Sequence, residues 1–412
     1  VVAANRRATD EELAQGRAGY LPSVDVRADT GWEYTDDVGT RAGTGDDTEK
    51  LWRSLASITL TQMLFDGFET KYEVARQKGR VNSSANRVRE TAELVGLSIV
   101  ESYLEVLRQR ELLEISRQNV QAHIDILDQI KEGVTAGRST EADNEQARAR
   151  LAVARATEAS TRNALRNAEA SYRRAIGDEP GELQVPETPY NNLTQDVGLE
   201  VEKALAYSPT LDIFEADIET AYAEAQQTKS TFYPQLDLEV NGTTAHDING
   251  VEGRDTSASA LVVMNWNLYR GGADMARARE FIHRQQQSKE RRAQAAREVE
   301  SDVRTTWASM IAAGERAREF AAQADANTEV VKAYKDQFSL DRRTLLDVLD
   351  SQNELFVSRS NTVNAQYLEM FAVFRLLALK GALLPTLGVE YPRESAVPSG
   401  DSWSTEEKMK AR

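Results

Sequence analysis

Gln337-Phe338-Ser339-Leu340-Asp341-Arg342-Arg343-Thr344-Leu345-Leu346-Asp347-Val348-Leu349-Asp350 lies between two long Pro-free helical patterns. It combines a turn, two adjacent arginines, a Thr-x-x-Asp signature and two carboxylates three residues apart. A fainter copy occurs at Val134-Thr135-Ala136-Gly137-Arg138-Ser139-Thr140-Glu141-Ala142-Asp143. Thr140 corresponds to Thr344 and Asp143 to Asp347, both at an offset of 204 (344 − 140 and 347 − 143). An internal repeat on this scale governs how the remaining sequence is read.

Proline maps the rest. It occurs only at 22, 180, 186, 189, 209, 234, 385, 392 and 398, leaving Pro-free runs at 23–179 and 235–384. Each run opens with period-2 alternation. After Pro22, Val24, Val26, Ala28, Thr30, Trp32 and Tyr34 share one face, opposite Asp25, Arg27, Asp29 and Glu33. After Pro234, Leu236, Leu238 and Val240 alternate with Asp237, Glu239 and Asn241. Polar stretches, 36–49 and 246–256, separate these from second alternating runs, so each half is expected to carry a β-hairpin with a polar loop. Aromatics gather near the strand ends (Trp32, Tyr34, Trp52, Trp266, Tyr269), as in membrane β-barrel strands; a soluble two-sided sheet gives the same alternation. Each hairpin ends in a matching turn, Leu64-Phe65-Asp66-Gly67 and Leu268-Tyr269-Arg270-Gly271.

Long helices follow. Ile99, Tyr103, Val106, Leu113, Val120, Ile124, Leu127 and Val134 recur in steps of 4, 3 and 7, a heptad seam. A helix over 68–135 spans about 100 Å at 1.5 Å per residue, so it must pack lengthwise against others. The spacing predicts two repeats. The first is 1–195: hairpin 22–64, long helix 68–135, return helix 140–176, connector. The second is 196–392: helix 200–231, hairpin 234–268, long helix 272–338, return helix 343–384. Residues 393–412 are polar and read as a disordered tail.

The 412 residues carry a net charge of −16, which argues against nucleic acid as the main partner. With no Cys there is no disulfide, thiolate metal site, Cys nucleophile or lipidated N-terminal Cys. No run of apolar residues is long enough for a transmembrane helix. The start, Val1-Val2-Ala3-Ala4-Asn5, lacks a basic-then-apolar pattern, so no signal peptide is read there; it fits a processed or truncated chain. His123, His246 and His283 lack metal-ligand spacing and read as surface or seam residues. No phosphate loop, nucleophile elbow or HExxH occurs, so no catalytic, cofactor or metal site is expected.

The order of elements resembles the TolC family of outer-membrane channel proteins over about residues 1–392. The opening stretch carries the resemblance most specifically, with the Tyr20-Leu21-Pro22 and Phe232-Tyr233-Pro234 strand starts and the two Gly-ended turns. Arg343-Thr344-Leu345-Leu346-Asp347-Val348-Leu349-Asp350, followed by Asn353-Glu354-Leu355-Phe356, looks most like members serving type I secretion. The resemblance implies a mainly α chain with membrane β, forming a homotrimer with a shared outer-membrane β-barrel and a periplasmic α-barrel. Outer-membrane lipid, a periplasmic adaptor and an inner-membrane ABC transporter would be its partners. The function implied is a passive exit duct for protein secretion, or alternatively for multidrug efflux. A soluble coiled-coil scaffold or periplasmic adaptor is the competing class; an adaptor would interrupt a single helical hairpin with a lipoyl-like domain rather than repeat a hairpin and helix pair.

By the same resemblance, Arg343, Asp347 and Asp350, with Asp143 and Thr140 of the first repeat, would form the periplasmic gate, and Asp347 and Asp350 would form part of an acidic ring. The alternative for Thr140–Asp143 and Thr344–Asp347 is local: both fit a capping box. The turn residues Gly137, Arg138, Ser139, Leu340, Asp341 and Arg342 are the expected adaptor contacts. Asp341 stands where relatives usually have Gly, whereas Gly137 keeps that residue.

Overall fold

The computed structural model describes residues 1–41, 48–340 and 342–397. Helices dominate: α1 (Val2–Ala18), α2 (Val38–Arg41), α3 (Glu69–Thr135), α4 (Glu141–Ile176), α5 (Val197–Tyr207), α6 (Pro209–Gln227), α7 (Ala273–Ser339), α8 (Leu345–Leu379) and α9 (Leu383–Thr386). Four strands, β1 (Ser23–Thr35), β2 (Glu49–Phe65), β3 (Gln235–Ile248) and β4 (Val251–Asn265), form one antiparallel sheet in that order. Compactness does not follow the sequence repeat. One unit comprises Val1–Val88, Asp212–Gln294 and the segment from Arg393; the other comprises Arg89–Leu211 and Ala295–Pro392. Each unit therefore draws on both halves of the chain.

In the first unit the period-2 alternation becomes a sheet with two unlike faces. The register pairs Trp32 with Trp52, Ile58 with Gly242, and Val240 with Ala260. Even-numbered residues (Val24, Val26, Trp32, Ile58, Leu60, Val240, Val262, Met264) therefore share the apolar face. Asp25, Arg27, Asp29, Glu33, Arg53, Asp237 and Glu239 share the other. Among the described residues, β1 and β4 each leave one backbone edge unpaired.

The second hairpin is tighter than its polar stretch implied. β3 and β4 run through most of 246–256 and meet at Asn249-Gly250, whose φ values of 56° and 74° suit a two-residue hairpin turn. A register shift at Asp247 brings this turn back to β1, where the Glu33 carboxylate accepts hydrogen bonds from Asn249 N–H (2.6 Å) and Arg53 (2.7 Å). At the strand bases Phe65, Phe68 and Tyr233 pack edge to face, with centroids 5.4 to 6.4 Å apart. Beneath the sheet, Ser83 donates to Asp217 (2.8 Å), and Arg292 and Arg80 pair with Glu215 (2.7 Å) and Glu12 (2.6 Å). The helix expected over 200–231 is instead α5 and α6, because Pro209 holds Ser208 extended (ψ 121°) and interrupts the helix. Residues 228–232 tighten into a 3₁₀ turn.

In the second unit the heptad seam of α3 is buried or half-buried throughout. Two apolar cores form. One joins Ile126, Leu127 and Ile130 of α3 to Leu151 of α4 and Leu345, Val348 and Leu349 of α8. The other joins Leu104 and Leu107 to Tyr367, Phe374, Leu377 and Leu383. The return helix expected over 343–384 ends at Leu379, and a Lys380-Gly381 break precedes α9. The connector is fastened to α3 by Tyr103 O–H donating to the Gln184 carbonyl (2.7 Å) and by Arg110 donating to the Gly181 carbonyl (2.9 Å). Lys380 donates to the Asn192 carbonyl (2.8 Å) and pairs with Glu200, both nearly inaccessible to water. Burial opposes Glu200 ionisation, but Lys380 and Thr194 outweigh it and hold the carboxyl below its usual range. Of the expected tail, Arg393–Ser395 forms a 3₁₀ turn against α1, with Glu394 3.9 Å from Arg7; residues 398–412 lie outside the described residues.

Replacing Glu200 by Ala leaves the Lys380 ammonium buried without its counter-ion. A cost of about 3–5 kcal/mol is expected, measured by chemical denaturation; unchanged stability would show that the pair does not hold the connector.

Candidate functional site

The two helical turns are built alike. After α3, Arg138 N–H donates to the Gly133 carbonyl (2.8 Å) and Gly137 N–H to the Val134 carbonyl (3.0 Å). This is a Schellman closure, and it requires the positive φ that Gly137 supplies (73°). Ser139 N–H shares the Gly133 carbonyl at 3.3 Å. After α7, Arg342 N–H reaches the Gln337 carbonyl at 2.9 Å, the same bond 204 residues on (342 − 138). Asp341, the departure from Gly, lies outside the described residues. Leu340 is 64% exposed, and Leu346, the second residue of α8, is 47% exposed.

Both return helices start in capping boxes. Thr140 N–H donates to Asp143 Oδ2 (2.9 Å) while Asp143 N–H donates to Thr140 Oγ1 (3.2 Å). Thr344 and Asp347 repeat this at 3.2 and 3.3 Å. Hydrogen bonds from the Thr344 hydroxyl and amide, with Arg343 beyond them, hold the Asp347 carboxyl below the usual carboxylate range.

Arg343 is committed within its own helical hairpin. Its guanidinium stacks over Tyr334 (4.1 Å to the centroid), its Nε donates to Gln337 (3.1 Å), and Asp347 lies 3.8 Å away. Asp350 instead crosses between hairpins and accepts from Arg150 of α4 at 3.1 Å. The structure thus gathers Arg343 and Asp347 around one cap and places Asp350 on a separate bridge. It keeps Thr140 and Asp143 at the other cap.

Sequence reasoning missed Arg150, Tyr334, Gln337 and Leu346. The first three acquire their role only through helix packing, which no local pattern reports. It also left open the place of His123, which is 5% exposed. Its Nδ1 has no hydrogen-bond partner among the described residues. Ser116 Oγ and Asn119 Oδ1, on the same face of α3, are likewise buried and unpartnered. Burial, reinforced by Arg150 and Lys335, pushes the His123 pKa down. Among the described residues, no group of three or more acidic or histidine side chains could hold a metal ion.

A helical hairpin pair closed by matched caps, with a four-stranded sheet of opposed faces, is the pattern of a known family. Its model, the outer membrane efflux protein family, matches residues 1–178 and 201–382. The chain belongs to this family. It is similar to the outer membrane efflux protein BepC of Brucella suis, at 26% identity over 96% of this chain and 86% of that protein. The alkaline protease secretion protein AprF of Pseudomonas aeruginosa matches at 22% over 90% and 78%, and TolC of Escherichia coli at 23% over 89% and 75%. Among solved structures, CusC superposes with a TM-score of 0.82 (15% identity; 92% of this chain, 88% of that one). VceC of Vibrio cholerae superposes with 0.80 (14%; 95% and 92%). The TolC-family resemblance read from the opening stretch is therefore correct. As a family member the chain is an outer-membrane efflux channel and not an enzyme. No helix among the described residues is long and apolar enough to cross a membrane.

Thr344→Ala removes the capping hydroxyl of α8. A loss of about 1 kcal/mol is expected, with faster amide exchange in the first turn of α8; unchanged exchange would show that the cap does not secure it. His123 adds a pH dependence. Because its folded pKa lies below the unfolded value of about 6.5, the unfolded chain binds more protons below that pH and stability falls as pH drops. His123→Leu should lose less melting temperature than wild type between about pH 7.5 and pH 5.5. An equal loss would show that His123 is solvated.

Proposed function

We propose that the protein is a homotrimeric exit duct of a type I protein-secretion system, opened at its helical turns by a periplasmic adaptor and an inner-membrane ABC transporter. The observation that carries the trimer is the sheet. Its even-numbered face is apolar, its odd-numbered face is charged, and β1 and β4 have free edges. Four strands cannot close on themselves, and open edges are not tolerated in lipid, so further copies must complete a barrel. Secretion is favoured by the Arg343–Asp350 stretch and by relatives named for protease secretion, AprF and PrtF. Efflux of small molecules is the second reading, and the name of BepC favours it.

In this reading the turns at Gly137–Ser139 and Leu340–Arg342 meet the adaptor, with exposed Leu340 and Leu346 supplying apolar contact. Arg343 acts by holding α7 and α8 together through Tyr334, Gln337 and Asp347. Asp350 contributes negative charge to the entrance, and Arg150 neutralises part of it in the resting state.

Planar-bilayer recording of the purified protein tests this. The expected result is trimeric channels of low resting conductance. Block by trivalent cations should weaken in Asp347→Ala/Asp350→Ala and strengthen in Arg150→Ala, which frees Asp350. Arg343→Ala should raise resting conductance. A non-conducting monomer would sink the duct reading; unchanged block in the carboxylate and Arg150 variants would remove the acidic gate alone. Export of a protease-type cargo, against drug efflux, in a strain lacking its own duct separates the two cargo classes.

A further inference from the structure

The apolar face of the sheet changes character at its hairpin-turn end. Lys50, His246 and Arg254 project from this face together with Trp32, Tyr34 and Trp52. The pairings Tyr34–Lys50, Trp32–Trp52 and His246–Arg254 set them on neighbouring rungs. The chain carries a net charge of −16, yet on this face the acidic residue in the outer rungs is Glu252, two positions beyond Arg254. Asp25, Asp29 and Glu33 of β1 and Asp237 and Glu239 of β3 alternate to the opposite face, whereas the Asp247 carboxylate, at the register shift, meets His246 at the rim. Arg254 Nε donates to Thr244 (3.3 Å) and His246 Nδ1 lies 2.9 Å from Asp247. Lys50 makes no ion pair with a described residue.

Beside this rim the face is hollow. Thr30, Ser54, Ala56 and Thr244, with Asp29 and Leu55 also in its lining, border a groove of about 540 Å³ that has Arg254 and His246 at one end. Larger side chains bound it: Trp32 and Trp52 toward the turns, Val26 and Ile58 toward the helices. A barrel wall facing only hydrocarbon gains from large apolar side chains at these positions, and a charged group there is tolerated only near the interface. Small residues under a basic, aromatic rim form a slot with a polar end.

We propose that this slot binds a phosphorylated lipid of the outer leaflet, with an acyl chain along the groove and a phosphate at Arg254, assisted by Lys50 and His246. The strand ends at 35, 49, 248 and 251 are opposite the ends that lead to α1, α3, α6 and α7, and in the channel reading this rim faces the outer surface of the outer membrane. An arginine fork matches phosphate oxygens in shape and charge, and tryptophans at the same level seat the headgroup region. The proposal rests on the channel reading, because it requires the even-numbered face to meet lipid.

The test measures lipid retained by the purified trimer in native mass spectrometry. The probes are bis-phosphorylated lipid A and the same lipid with its phosphates removed. The wild-type trimer should retain the phosphorylated form about tenfold better, the scale of one charge-assisted hydrogen bond. Arg254→Gln should abolish that preference, and Ala56→Phe, which fills the groove, should lower retention of the phosphorylated form. Equal retention of both lipids by wild type overturns the site without any variant. Unchanged retention in Arg254→Gln or Ala56→Phe also overturns it. Conductance of the same preparation separates the two readings: a conducting trimer without lipid preference loses only the lipid site, and a non-conducting preparation loses the duct.

Discussion

A sheet with one apolar face and two free edges cannot satisfy its backbone alone. At β1 and β4 a row of N–H and C=O groups has no sheet partner among the described residues, and hydrocarbon offers none. This constraint sets the terms for everything else. In the proposed duct it makes the isolated chain incomplete and assigns the apolar face to lipid and the charged face to the lumen side. The Asn249-Gly250 turn and its return to Glu33 then hold the two hairpins in one continuous sheet.

The helical regions answer to a different requirement. Helices as long as α3 and α7 gain stability mainly from contacts along their length, and the buried alanines of α7 (Ala295, Ala313, Ala317, Ala324) allow close approach. In the second unit two apolar cores are separated along α3 by Ser116, Asn119 and His123 and along α8 by Ser351, Gln352 and Ser358. Arg359 of α8 reaches Gln118 of α3 at 3.5 Å, which sets these two polar segments at the same level. Buried polar groups weaken a seam but restrict its register. The connector is fastened above this layer by Lys380, Glu200 and Tyr103, and the capped turns lie below it.

At the turns, local and long-range chemistry are layered. Thr344 and Asp347 start α8 whatever surrounds it, because a capping box needs only residues three apart. Arg343 adds a clamp across its own hairpin, and the Asp350–Arg150 pair adds one between hairpins. A carboxylate used in a cap differs from one used in a bridge: the first is anchored by the start of its own helix, the second by a partner that rearrangement can remove.

Much of this was legible without coordinates. The offset of 204 residues, the heptad steps of α3, the Thr-x-x-Asp caps and the alternation around Pro22 and Pro234 are local patterns, so the sequence by itself determined the helices, strands, turns and family. Near-local effects were harder to read: the break at Ser208, the turn at Asn249-Gly250 inside a polar stretch, and the end of α8 at Leu379. Only the tertiary structure decided that Asp350 faces Arg150, that His123 is buried with its Nδ1 unpartnered among the described residues, that Lys380 neutralises Glu200, and that Lys50, His246 and Arg254 share a face with two tryptophans. Those contacts join residues 180 to 204 positions apart, or several strands of one sheet (380 − 200 and 254 − 50). Their energy depends on distance and desolvation in the folded chain, which no spacing along the sequence encodes.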